Sequence, residues 1–472
     1  MHQASHLLIV LLALSTAPAW LSGCVSRDGV PVPATLSLVD RIDGAQSAAA
    51  HFLLERQDLD GCWRSEIYGP FKDGASLTPL VVQALLRTPA GPERDAACRR
   101  AIAYLASCAQ ADGTVQAGPH GFSYPLYTAA GALTLLSAPD QVQHRRARDV
   151  WLVYLRQRQL TEDLGWQPAD KEYGGWGYCP GLPRKLPAGQ LIPPLTESNL
   201  SATVAALEAL RAAGCPADDA AVGKALTFVQ RCQNYGDDAT FDDGGFFFIY
   251  DDGVRNKAGV AGKDRQGRER YSSYGSTTGD GLRALLLCGL PPEHPRVVAA
   301  RRWLETHFSA TTHPGRYAPE REPNRQAVYH YYAYSAAQAL EALALQEVTT
   351  PAGRVRWAEA LAEQLLKDQR DDGSWVNSVV LVREDDPLVA TALATQALAV
   401  CRSRLASQAS GKALTDVWPF RPPVGVLPTF IPWRPVCRAV LSPRLEKMVR
   451  VPRSRAQNSR TRTYGNQDQV TK

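Results

Sequence analysis

The stretch from Phe52 to Trp63, FLLERQDLDGCW, constrains the chain more than any other. It reads aromatic, Leu, three residues, Gln, three residues, Gly, one residue, Trp. Its first half is the end of an amphipathic helix. Asp60-Gly61 then offers a position of positive φ where a helix can stop, and Trp63 returns a large ring to the helix end. Gln57 is placed to bond the loose carbonyls there. The phrase recurs with wear. Tyr104-Leu105 leads to Gln110 and Gly113. Tyr154-Leu155 leads to Gln159, Gly165-Trp166 and Gly175-Trp176. Phe228-Val229 leads to Gln233 and Gly244-Gly245-Phe246. Trp303-Leu304 leads to Gly315-Arg316-Tyr317, with Phe308 where Gln is expected, and Leu365 leads to Gln369, Gly373 and Trp375. About six copies at intervals of roughly 50–70 residues are the mark of a repeat architecture.

Between these turns the apolar residues fall at helical spacing. One set of stretches precedes the turns, at 42–57, 93–109, 142–159, 217–233, 294–307 and 353–369; a second follows them, at 76–87, 124–136, 197–212, 276–288, 328–345 and 388–404. The second set is nearly free of charge on every side, so it belongs inside. The first carries Arg99, Arg100, Arg145, Arg146, Arg301, Arg302 and Glu359 and keeps one face in water. About twelve helices in six pairs, with the uncharged members inside, describe an all-α (α/α)6 toroid; an open α-solenoid uses the same pairs without closing.

The Gln…Gly-x-Trp phrase resembles the QW repeat of squalene–hopene cyclases and the related prenyltransferase/squalene oxidase repeat, over about residues 40 to 405. That resemblance implies the same toroid. It also implies two chemistries to look for. The cyclases protonate an alkene with the middle acid of a D-x-D-D motif, and no such motif occurs here. The nearest echo is Arg383-Glu384-Asp385-Asp386-Pro387. Protein prenyltransferases hold zinc with Asp, Cys and His; His120, His313 and His330 have no Cys at ligand spacing. The resemblance is therefore to a divergent member lacking the D-x-D-D acid, and neither a metal nor another cofactor is implied.

The ends differ from the repeats. Leu7 to Leu14 is a short apolar run, and Leu21-Ser22-Gly23-Cys24 follows. This resembles a bacterial lipobox, which implies a signal peptide over 1–23, lipid on Cys24 and a place in the cell envelope, facing the periplasm or at the outer membrane. A linker is expected over 24–40, the toroid over 41–408 and a Pro-rich, then basic tail over 409–472 that reads as disordered. The formal charge of +5 comes from that tail, where eight Lys and Arg residues after Pro443 face two acids. The repeat region is near neutral, and nucleic acid is excluded as its partner. Ten scattered cysteines with no C-x-x-C pair exclude a zinc ribbon or a disulfide scaffold; Cys98, Cys108, Cys288 and Cys401 read as core.

In a toroid the inner helices start around one mouth, and here those starts are polar or aromatic. Tyr124, Tyr127, Tyr274, His330, Tyr331 and Tyr334 are the candidate ligand-binding residues. Helix capping accounts for Ser198, Asn199, Ser276 and Asp386, but not for tyrosines on every side of one helical turn. Asp242, Asp243, Asp251 and Asp252 in the long insert 237–274 read as an acidic turn, with calcium as the alternative. Three functions stay open. The first is an envelope-anchored protein that binds an apolar or polymeric ligand, or a partner, at an aromatic mouth. The second is a terpene cyclase-like isomerase with Asp280, Asp385 or Asp386 as its acid. The third is a glycan-cleaving enzyme with Glu197 and Asp280 as its carboxylates.

Overall fold

The computed structural model describes residues 36–410, apart from 119–120, 188–189, 191–192, 194 and 251. The leader over 1–23, Cys24 and the tail beyond residue 410 lie outside the described residues. Six outer helices, α1 (Leu38–Leu54), α3 (Pro92–Ser107), α5 (Arg145–Arg156), α7 (Ala220–Arg231), α9 (Pro295–His307) and α12 (Trp357–Asp368), alternate with six inner ones. The inner helices are α2 (Thr78–Leu85), α4 (Pro125–Leu136), α6 (Leu200–Ala212), α8 (Gly275–Leu287), α11 (Tyr329–Ala342) and α13 (Pro387–Ser410). Each inner helix packs on the next in order, and α13 packs back on α2, so the ring closes. This is the toroid and excludes the open solenoid. Charge sorts the two layers as the sequence implies: α8 buries all but one of its residues, whereas α5 buries only Trp151 and Leu155.

The recurrent phrase does more than stop a helix. Gln57 donates through Nε2 to the Gly61 carbonyl of its own turn at 2.9 Å and to Ala97 of the next outer helix at 2.9 Å. Gln159 repeats this with Gly174 and Ala221, Gln233 with Gly244 and Arg296, and Gln369 with Gly373 and Ala45. The expected bond from Gln57 to its own helix end is therefore corrected. That carbonyl, on Leu53, accepts instead from the Trp63 indole at 2.7 Å; Trp176 serves Leu155, and Trp375 serves Leu365, in the same way. The amide of each of these tryptophans, or of Phe246 in the fourth copy, donates to a threonine of the following inner helix: Thr78, Thr203, Thr278 and Thr391. One turn thus ties its own outer helix, its inner helix and the next outer helix together. The Gln369 copy joins the last outer helix to the first. The turn glycine must be glycine where the backbones meet: a Cβ on Gly373, at φ +83°, would lie 2.4 Å from the Ala48 oxygen.

Two copies lack this clamp. Gln110 reaches only Ser107 and Cys108 at the end of its own helix, and the α3 end is capped by the Trp151 indole from α5. After α9 the turn is held by an aromatic cluster around His313, described below. Four features were not foreseen. Residues 353–355 are not helical but form β4 (Gly353–Val355), which pairs with β3 (Val348–Thr350), and this hairpin packs on α9. A second hairpin, β1 (Val260–Lys263) with β2 (Glu269–Tyr271), stands in the α7–α8 insert. A short helix, α10 (Pro323–Ala327), precedes α11. The first helix begins at Leu38 rather than beyond residue 40, because Ser37 and Asp40 form a capping box. The eight described cysteines are all buried free thiols, the four expected core residues among them. No helix among the described residues is long and apolar enough to cross a membrane.

Candidate functional site: the tyrosine-lined mouth

Tyrosines from two inner-helix starts and one loop converge. Tyr124 is the N-cap residue of α4, and Tyr127 follows one turn in. Tyr178 comes from the loop before α6. Its ring lies 6.0 Å from Tyr124 and 5.3 Å from Tyr127, and the Tyr127 and Tyr178 hydroxyls are 2.9 Å apart. Tyr331 and Tyr334 lie near the start of α11, with ring centroids 6.2 Å apart. Burial pushes the ionisation of Tyr127, Tyr178, Tyr331 and Tyr334 upward. Yet each retains accessible surface. These half-buried rings at converging element ends form the mouth.

Charged groups lie against these rings. The Asp280 carboxylate on α8 is wholly buried. It accepts from the Tyr331 hydroxyl at 2.6 Å, the Ser335 hydroxyl at 2.8 Å and Arg283 at 3.1 Å. Arg283, one helical turn on, also binds Glu208 of α6 and lies 5.3 Å from the Tyr334 ring. Burial drives the Asp280 carboxyl upward, while Arg283, Tyr331 and Ser335 hold it down. An acid that hands a proton to an alkene needs an oxygen facing its substrate. Both oxygens of Asp280 are engaged by protein donors, so its geometry is that of a buried polar network.

The rim is the loop before α13, where four successive residues do four different things. Arg383 takes φ +71° and sets its guanidinium 5.1–5.4 Å from the rings of Tyr68, Phe71 and Tyr124. Glu384, buried, accepts from the His330 and Tyr331 amides at 2.9 and 2.8 Å and from His330 Nδ1 at 3.1 Å, which caps α11. Asp385 accepts from the Tyr68 hydroxyl with both oxygens, at 2.6 and 2.7 Å. Asp386 caps α13 through the Leu388 amide at 2.9 Å, and its other oxygen has no hydrogen-bond partner. Burial raises the Asp386 carboxyl. It borders a groove of about 580 Å³ beside the mouth, lined also by Arg64, Ser65, Glu66 and Lys72.

The structure brings together Tyr124, Tyr127, Tyr331, Tyr334 and Asp280, with Asp385 and Asp386 at the rim. It does not bring in the other candidates. Tyr274 is a correction: it is 1% exposed and packs with Ala258 and Tyr317 as the N-cap residue of α8, leaving no face open to a ligand. His330 is buried and held by Glu384. Glu197 forms an ion pair with Arg255 at 3.1 Å and shares no partner with Asp280, so the expected carboxylate pair is two separate ion pairs. The acidic insert is also dispersed: Asp242 binds Arg270, Asp243 binds Ser273 and Trp303, and Asp252 binds Arg255. No group of three or more potential metal ligands occurs among the described residues. Tyr68, Phe71, Tyr178, Arg383 and Glu384 were missed because they sit on loops, where no periodicity gives direction. Arg283 carried a signal: a lone cation in a helix apolar all round must be buried with a partner.

No protein-family model matches the chain, and no curated protein matches it. Among solved structures it is similar to a type II terpene cyclase from Scytonema in complex with geranylgeranyl dihydroxybenzoate, at 14% identity over 78% of this chain and 99% of that one, with a TM-score of 0.49. It is similar to an unsaturated glucuronyl hydrolase specific for heparin, at 12% identity over 79% and 98%, TM-score 0.49. It is also similar to an alpha-1,6-mannanase of Salegentibacter, at 9% identity over 77% and 100%, TM-score 0.43.

Proposed function

We propose that this chain is a binding toroid of the cell envelope that receives a hydroxylated polymer, a glycan, at its tyrosine-lined mouth. The observation that carries this reading is the polarity of the mouth. Four half-buried phenols and Glu208 line it, backed by the buried Asp280–Arg283 pair. These groups are paired with one another, but the phenol oxygens and Glu208 keep spare acceptor capacity, to which a polyprenoid returns nothing and a sugar hydroxyl returns a hydrogen bond. A sugar ring offers a flat face to the tyrosines and hydroxyls to the polar atoms. The engaged state of Asp280 weighs against the isomerase. One observation favours a hydrolytic variant of the same reading: Asp386, its carboxyl raised by burial, lies at the edge of the groove beside the mouth. Lipid on Cys24 would set the mouth beside envelope polymers.

The test is a titration of the full chain with soluble oligosaccharides and with a C20 polyprenoid, read by intrinsic fluorescence, with products analysed in parallel. Saccharides are expected to bind, and Tyr124→Ala and Tyr178→Ala to weaken binding by about two- to twelvefold, given about 0.5–1.5 kcal/mol per lost ring contact. Any cleavage is expected to vanish in Asp386→Asn. Binding and cyclisation of the polyprenoid, with no response to saccharides, overturns the reading.

A further inference from the structure

We propose that the ring triplet Tyr68, Phe71 and Tyr124 is a binding site for a quaternary ammonium group, and that Arg383 occupies it as a resident stand-in. Three aromatic faces around one cation, at 5.1–5.4 Å, are within the range where the ring quadrupoles attract positive charge. Arg383 fits the site badly. Its backbone lies in the left-handed region at φ +71°, which disfavours a side chain with a Cβ. Its Nη1 is buried with no hydrogen-bond partner. A guanidinium needs acceptors for five N–H groups, and the cage leaves the two on Nη1 unserved. A cation with methyl groups in place of N–H groups forfeits nothing there. The neighbouring carboxylate of Asp385, held by the Tyr68 hydroxyl, supplies negative charge beside the same ring.

The arrangement is therefore a latch as well as a site. The ligand's ammonium and Arg383 compete for one cage, and the apparent affinity is lowered by the fraction of molecules in which Arg383 fills it. The inference rests on the mouth being the ligand entrance. It adds that the ligand carries a methylated ammonium group.

The experiment titrates the full chain with choline and with the uncharged carbon isostere of choline. The proteins are the wild type, Arg383→Gly and the double variant Arg383→Gly/Tyr124→Ala, each checked for helical circular dichroism. Glycine suits the φ of position 383; Arg383→Gln gives the same comparison should the glycine loosen the loop. Choline is expected to bind Arg383→Gly about tenfold more tightly than wild type, the isostere to show no such gain, and the double variant to lose it. Equal affinity in wild type and Arg383→Gly, or an equal gain for the isostere, overturns the proposal. Oligosaccharide titrations of the same proteins separate it from the reading above: choline binding without saccharide binding defeats the glycan and leaves the cage, and the converse defeats the cage alone.

Discussion

Four of the six turns that follow the outer helices are built alike, and two are improvised. The turns after α1, α5, α7 and α12 each use one glutamine amide to bind their own glycine and the next outer helix. The turn after α3 borrows a tryptophan from α5. The turn after α9 uses His313, whose Nε2 accepts from the Ser276 amide at 2.9 Å and whose ring stacks on Tyr332 at 5.0 Å. Tyr317 bonds its other nitrogen at 3.0 Å. The contrast teaches that a ring does not need six identical joints. It needs each joint to satisfy the buried polar groups at a helix end, by whatever side chain is near.

The largest expected effect separates a clamped turn from an improvised one. Gly373→Ala should lose about 2–5 kcal/mol, from left-handed strain plus collision with the Ala48 carbonyl. Gly113→Ala, at φ +87° with open space around its Cβ, should lose only about 1 kcal/mol. Denaturant midpoints of the two variants measure the difference, and equal losses would dissolve the distinction.

Acid should find the α9 turn first. Burial, and then the charge of Arg325, hold His313 at a pKa of about 3 against an ordinary 6.5. The unfolded chain therefore binds a proton that the folded chain refuses, and stability falls as pH drops from 6.5 toward 3. The slope is about 1.4 kcal/mol per pH unit, or about 3 kcal/mol by pH 4. The groups facing His313 besides Arg325 are Tyr274, Tyr317 and Tyr332. Thermal midpoints from pH 7 to 4 should show this slope in the wild type and a shallower one in His313→Gln; parallel slopes refute it.

The smallest effects compare the glutamines. Gln369→Ala removes two hydrogen bonds that join the ends of the ring and should lose about 1–3 kcal/mol. Gln110→Ala, half-buried and bonded through its side chain only to its own helix end, should stay within about 0.5 kcal/mol. A loss from Gln110→Ala as large as that from Gln369→Ala would show that the improvised turn has a joint not yet identified.

These joints also explain what the sequence made legible. Gln57, Gln369 and their glycines and tryptophans act within seven residues, so spacing alone reveals them. Gln159 acts on Gly174 across an insert, and only recurrence marks it. The helices were readable because layer and charge coincide: α8 is uncharged but for Asp280 and Arg283, and both are buried and paired. The mouth was half readable. Tyr124, Tyr127, Tyr331 and Tyr334 sit at helix starts whose position follows from the repeat. Tyr68, Tyr178 and Arg383 depend on loop paths that no period encodes. Tyr274 misled because it too stands at a helix start, yet a cap residue can face outward into the wall, as this one does.

Ring closure has a further consequence. An open stack of repeats tolerates the loss or gain of a unit, since every remaining neighbour pair survives. Here Gln369 reaches back to Ala45, so removing one pair of helices would demand a new curvature from all the others. The count of units is frozen by that return contact, and diversification is left to the loops that carry Tyr68, Tyr178 and Arg383 above an unchanging frame.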